Sequence, residues 1–360
     1  MVLLKYMDSA LSLDNQIQKL EEKIKAAGLP PELMEKINSM LTILKVSLKQ
    51  GTGSFVNYES IENYIDWVTS LPFNKETQDV MDLGKVKQIL DKNHYGLDSV
   101  KNTILEYLSA LILSMQTSSS SEVRAPILCL VGLVGTGKTT LAYSIAEALG
   151  RKFERIPFGG MGDALALRGQ SRAFSDAEPG QVIKKLAHAG NKNCVILLDE
   201  LDRVSDAGRA DIMGVLVELL DPEQNKAFTD HYIDYPFDLS HVLFVATANN
   251  TTNISTAVLD RLEIIQMPSY TDEEKKIIAK DYLFPKIKQE AGLSGIQLNI
   301  DDSLWPLIIR PLGYDSGIRS LERTLETVAR RISKMVVEGK IAKNTNFMIT
   351  AENLKQFLPT

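Results

Sequence analysis

A chain of 360 residues is long enough for about two or three packed units, which excludes a disulfide-stapled mini-protein or a fibrous repeat. With 44% hydrophobic residues, 24% charged residues and a formal net charge of −6, it has a globular composition and no basic footprint for nucleic acid. Cys129 and Cys194 are too few for a disulfide framework or a four-ligand zinc site, and they read as small buried hydrophobes in a reducing compartment. No run approaches the ~18 apolar residues of a membrane span, and Met1-Val2-Leu3-Leu4-Lys5 has no secretory leader pattern. The expectation is an intracellular protein, in the cytoplasm or an organelle matrix.

In chain order, Leu13, Ile17, Leu20 and Ile24 mark one amphipathic helix that Gly28 and Pro30 end. Ile37, Leu41, Leu44 and Leu48 mark a second, closed by Gly51-Thr52-Gly53-Ser54, and Ile61, Tyr64, Ile65 and Val68 a third ending near Pro72. The first two read as a helical hairpin packed against the rest. Further helical segments flank Gly96, and Ser118 to Ser121 reads as a solvated joint.

After Pro126 the texture changes to short apolar runs separated by helical or loop segments: Ile127–Gly132, Phe153–Phe158, Cys194–Leu198, Val242–Ala246 and Leu262–Met267. Such runs predict parallel strands buried on both faces, hence a wound α/β domain. Thr271-Asp272-Glu273-Glu274 is a capping box, and Ile318, Leu321, Leu325, Val328, Ile332 and Met335 recur at helical spacing. From Thr271 onward the strands are expected to stop, and a small α-helical domain to close the chain. The predicted division is a helical segment over 1–70, an α/β unit over 71–270 and the helical unit over 271–360.

Gly132-Leu133-Val134-Gly135-Thr136-Gly137-Lys138-Thr139 matches a phosphate-binding loop between a strand and a helix. Glycines let backbone N–H groups approach phosphate oxygens, and the helix N-terminus adds positive partial charge. Lys138 supplies a cation for the β- and γ-phosphates and Thr139 a hydroxyl for Mg²⁺; Gly132, Gly135, Thr136, Gly137 and Thr140 complete the expected nucleotide contacts. Sixty residues on, a strand ends in Asp199-Glu200, carboxylates that packing alone does not explain. Asp199 is expected in the Mg²⁺ shell, and Glu200 is expected to orient and polarise water for attack on the γ-phosphate. A third strand ends at Asn249, which is either a turn residue or a second water-positioning group. Arg261 is either a surface salt bridge or a charge offered to a neighbouring subunit's phosphate.

With Gly317-Ile318-Arg319 opening a late helix, these residues resemble an AAA+ ATPase, and more narrowly the ATPase portion of the Lon proteases. The narrower likeness rests on Asp91-Lys92-Asn93-His94-Tyr95-Gly96-Leu97, on Pro126 to Gly132, and on Leu220-Asp221-Pro222-Glu223-Gln224-Asn225 through Asp230-His231-Tyr232. It implies that His94 and Tyr95 line an adenine pocket, Asn249 is a sensor residue, Arg261 an arginine finger acting in trans and Arg319 a second sensor. It also implies a P-loop AAA+ fold, ATP and Mg²⁺ as cofactors, and a homohexameric ring that draws unfolded or misfolded protein through a pore towards a protease domain. Two departures stand out. Leu133-Val134 replace the usual prolines of the glycine loop, and Phe174-Ser175 replace the usual Tyr-Ile pair of the pore loop, leaving Phe174 as its aromatic. No Ser-Lys nucleophile pair is assignable, so the expected activity is ATP hydrolysis and translocation without peptide cleavage. The rival readings are an AAA+ clamp or helicase loader, disfavoured by the negative charge, and a nucleotide-switched scaffold, disfavoured by Glu200, Asn249 and Arg261.

Overall fold

The computed structural model describes residues 16–49, 55–117, 126–310, 317–342 and 346–358. The expected joint at Ser118 to Ser121 and the closure at Gly51 to Ser54 lie outside these residues. The helical stretch 16–26 (α1) is followed by α2 (Pro31–Lys49), α3 (Phe55–Ser70), α4 (Leu83–Asn93) and α5 (Asp98–Thr117). The α/β unit runs β1 (Ile127–Val131), α6 (Lys138–Leu149), β2 (Phe153–Pro157), α7 (Leu165–Arg168), α8 (Gln181–Ala189), β3 (Val195–Asp199) and α9 (Arg209–Leu220). It continues with a small antiparallel ribbon of β4 (Phe228–Thr229) and β5 (Pro236–Phe237), then β6 (Leu243–Ala248), α10 (Thr256–Leu259) and β7 (Leu262–Gln266).

The main sheet has the order β2-β3-β6-β1-β7 with every pairing parallel. Its centre is buried on both faces because side chains alternate and each face has its own core. Cys129, Val131, Ile196, Leu198, Phe244 and Ala246 share one cluster with α8, α9 and the helices α1 to α3. Leu128, Leu130, Val195, Leu197, Leu243 and Val245 share the other with α4, α5 and α6. The expected hairpin thus packs into the α/β core. Tyr64 Oη donates to the Ile233 carbonyl at 3.0 Å, and Lys36 Nζ pairs with Asp234 at 2.7 Å.

The chain then forms α11 (Asp272–Ile277), a π-helical stretch Ile278–Leu283, and α12 (Phe284–Glu290). The Thr271 capping box is formed. Beyond it lie β8 (Gln297–Ile300), α13 (Trp305–Ile309), α14 (Arg319–Val337), β9 (Asn346–Ile349) and α15 (Leu354–Phe357), around a core that includes Trp305, Leu325 and Phe357. The unit is mainly helical, as expected, but the strands do not stop at Thr271: β8 and β9 pair in parallel. Each has only four residues, and their partners are about fifty residues apart in the chain, so local periodicity carries almost no signal of the pairing. Among the described residues no helix is long and apolar enough to cross a membrane.

Candidate functional site

Because β3, β6 and β1 are adjacent and parallel, the loops that follow them emerge at one edge of the sheet, where wound α/β folds bind ligands. A cavity of about 150 Å³ opens there, bordered by Gly135, Gly137, Lys138, Thr139 and Thr140 after β1, Asp199 and Glu200 at the end of β3, and Asn249 after β6. Ile318, Arg319 and Glu322 close it from the first turn of α14. Residues from 135 to 322 are therefore brought together around one space.

The glycine loop has the backbone its sequence demands. Gly135 and Gly137 sit at φ +83° and +90°, positions that disfavour any side chain with a Cβ. Gly317 packs directly on the loop: a Cβ there lies 2.4 Å from Val134 O, and Ile318 N donates to Gly135 O at 3.0 Å. Lys138 Nζ donates to the carbonyls of Gly132 and Leu133 at 2.6 and 2.9 Å and to Asn249 Oδ1 at 3.2 Å. Burial pulls its ammonium below the usual lysine range, opposed by Asp202, Asp199 and Glu200. Gly132 and Thr136 do not border this cavity. Gly132 lies against Met267, and the Thr136 side chain is buried with its hydroxyl on Leu133 O, so both shape the loop from behind.

The acidic strand end is built around Thr247. Its hydroxyl donates to Asp199 Oδ1 and accepts the Glu200 N–H at 3.0 Å, while Arg155 Nε donates to Asp199 Oδ2 at 2.6 Å. Glu200 has φ 61° and ψ 49°, a left-handed backbone that a non-glycine residue adopts at a cost of about 1–3 kcal/mol. Its carboxylate pairs with Arg203 at 3.3 Å. Asn249 is fixed by Asp202, whose Oδ1 and Oδ2 accept its N–H and Nδ2 at 3.0 and 3.3 Å.

A second cavity, of about 450 Å³, adjoins the first and shares Gly137, Thr140, Ile318 and Glu322 with it. His94, Tyr95, Tyr143, Tyr270 and Tyr282 border it. His94 lies 3.0 Å from Ser144 Oγ, and burial, with Lys101 nearby, lowers its pKa to about 4, so the ring is neutral near pH 7. Tyr270 Oη donates to Thr136 O at 3.3 Å, and burial raises its pKa to about 12.

Arg261 and Phe174 stand apart from both cavities. Arg261 Nη2 pairs with Asp221 at 2.9 Å and Nη1 donates to Ala257 O, and that partner holds the Asp221 carboxyl below the usual range. Phe174 is 68% exposed at the tip of a loop. The neck of that loop is held by Asp230, which accepts the N–H groups of Gly180, Tyr232 and Ile233 at 2.7, 2.8 and 3.1 Å. Arg172, in the same loop, stacks 3.9 Å above the Tyr64 ring.

Sequence reading missed Arg155, Thr247, Asp202 and Tyr270. A threonine inside the buried run of β6 was the one visible signal, since a buried hydroxyl needs a partner. The others depend on tertiary placement.

The family described as ATPase family associated with various cellular activities matches residues 128–270, and the Lon protease AAA+ ATPase lid domain matches residues 289–345. A Lon protease of Lawsonia intracellularis is 41% identical over 354 residues, covering 98% of this chain and 41% of that protein. Lon protease 1 of Bacillus subtilis is 42% identical over 343 residues, covering 95% of this chain and 43% of that protein. A Lon protease of Mycoplasma mycoides is 40% identical over 352 residues. The chain spans about two fifths of the length of these relatives.

Proposed function

Since the chain belongs to the Lon protease family and carries its AAA ATPase and lid regions, we propose that it hydrolyses ATP to translocate unfolded or misfolded protein. The observation that carries this reading is the convergence of Lys138, Thr139, Asp199, Glu200, Asn249 and Arg319 on one cavity beside an aromatic-lined second one.

The residues fit Mg²⁺-ATP. Gly135 and Gly137 hold the positive φ with which such a loop turns its N–H groups towards phosphate oxygens, and Lys138 rests on neutral carbonyls it can exchange for them. Thr139 and Asp199 offer one hydroxyl and one carboxylate, the small donor set that suits Mg²⁺ when nucleotide and water supply the rest. When bound, Mg²⁺ supplies charge neutralisation of the phosphate chain. Glu200 accepts a proton from the attacking water as its oxygen bonds to the γ-phosphorus and the bond to the bridging oxygen breaks, giving ADP and phosphate. Asn249 orients that water, Arg319 reaches the phosphates from the lid, and the second cavity takes the adenine beside neutral His94 and Tyr95. Arg261 would serve the site of a neighbouring subunit in a homohexamer, with Phe174 gripping substrate in the central pore. In the full-length protein this work would feed a Lon-type protease domain.

The test is steady-state ATPase activity together with nucleotide binding. Lys138→Ala should lose binding, whereas Glu200→Gln should keep nucleotide affinity and lose ~10²-fold or more in turnover. Turnover by Glu200→Gln within about twofold of the parent would refute the assignment.

A further inference from the structure

Three cationic side chains border the phosphate-side cavity among the described residues, Lys138, Arg155 and Arg319, and the hydrolysis scheme uses only two. Arg155 lies on β2, opposite Leu197 and two positions short of the register partner of Asp199. Its Nε donates to Asp199 Oδ2 at 2.6 Å, while Asp199 Oδ1 is taken by Thr247. Both oxygens of the carboxylate expected to serve the divalent cation are therefore already engaged.

The two partners differ in freedom. Thr247 is fully buried, and its hydroxyl also accepts the Glu200 N–H. The Arg155 side chain is 51% exposed and faces the cavity, whereas that of Asp199 is 5% exposed. A nearly buried carboxylate without a partner is costly, so the free protein gains from keeping a cation on it. A guanidinium does not lose its charge near neutral pH, so it leaves the carboxylate by moving and not by deprotonating.

The geometry points to Arg155 as a positioning residue that occupies Asp199 Oδ2 until a divalent cation displaces it. Binding of Mg²⁺ is then an exchange of one cation for another on the same oxygen, and the affinity of the site for the metal is lowered by the strength of the pair it breaks. This rests on the reading of the cavity as a Mg²⁺-ATP site.

The experiment is calorimetric titration of the chain with ATP, once with Mg²⁺ and once with EDTA, the readout being the ratio of the two affinities. Arg155→Gln removes the competing charge and should raise that ratio about three- to tenfold, in keeping with a charged pair that is partly exposed. Arg155→Lys retains a cation able to reach the same oxygen, and its ratio should stay near the parent value. Arg155→Met provides a second neutral variant of similar length, and thermal melts establish that each variant is folded. An unchanged ratio in folded Arg155→Gln or Arg155→Met, with ATP still bound, would overturn the exchange. A rise in Arg155→Lys as large as that in the neutral variants would overturn the role of charge. No ATP binding by the parent under either condition would overturn the nucleotide-site reading itself, and the exchange with it.

Discussion

Gly317 is where the lid touches the phosphate-binding loop, and adding one methyl group there isolates that contact. A Cβ on Gly317 lies 2.4 Å from Val134 O, 2.7 Å from Gly135 Cα and 2.8 Å from Gly135 C, whereas ordinary contact begins near 3.4 Å. All three are backbone atoms, so no side chain can rotate away, and the lid and the loop must separate by about 1 Å. The adjoining Ile318 packs against the sheet core shared with α4, α5 and α6, and not in the lid core around Trp305, Leu325 and Phe357. The cost of ~1–3 kcal/mol for such overpacking therefore falls where the lid meets the loop and the sheet, and not inside the lid's own core. Arg319 lies two residues on, and Ile318 N bonds Gly135 O, so both move with the lid. A misplacement of about 1 Å at a reacting centre costs ~10²-fold in rate. Gly317→Ala should accordingly melt within a few degrees of the parent while its steady-state ATPase activity falls by ~10²-fold. ATPase activity within about twofold of the parent in a folded Gly317→Ala protein would refute the reasoning.

His94 has a pKa of about 4 in the fold against 6.5 unperturbed, so between these values the unfolded chain binds more protons than the folded one. Its contribution to stability is intact above pH ~6.5 and is lost as pH falls towards ~4, by up to ~3 kcal/mol. Urea unfolding at about pH 7 and about pH 5 should show a smaller acid-induced loss in His94→Gln than in the parent, and equal losses would rule out His94 as the group responsible. Phe174→Ala should leave basal ATPase activity within about twofold, because the exposed ring lies outside both cavities, but should abolish ATP-driven unfolding of a folded reporter. Unfolding at the parent rate would return Phe174 to an ordinary loop aromatic. Arg261→Ala should lose ~10³-fold or more in turnover if it acts across a subunit boundary, and mixing it with Glu200→Gln protein should restore activity above the sum of the parts. Mixtures of assembled proteins showing no such gain would argue for a structural pair with Asp221 alone.

The wound α/β class was legible in the sequence because each buried strand is a continuous apolar run, a local property that no distant partner has to supply. The glycine loop and Asp199-Glu200 were legible for a similar reason: positive φ favours glycine, and paired acids at the end of an apolar strand have no packing use. Tertiary structure alone decided what holds those groups. Arg155 reaches Asp199 because β2 and β3 are neighbours in the sheet, and Asp202 fixes Asn249 across 47 residues of sequence, contacts that no periodicity encodes. The β8-β9 pair, Gly317 pressed on Val134 and the shared core of α1 to α3 with the sheet likewise depend on distant chain segments meeting. Hydrophobic period and turn chemistry are written residue by residue, whereas strand order, register and the packing of lid on loop are set by which buried surfaces fit together once the chain has collapsed.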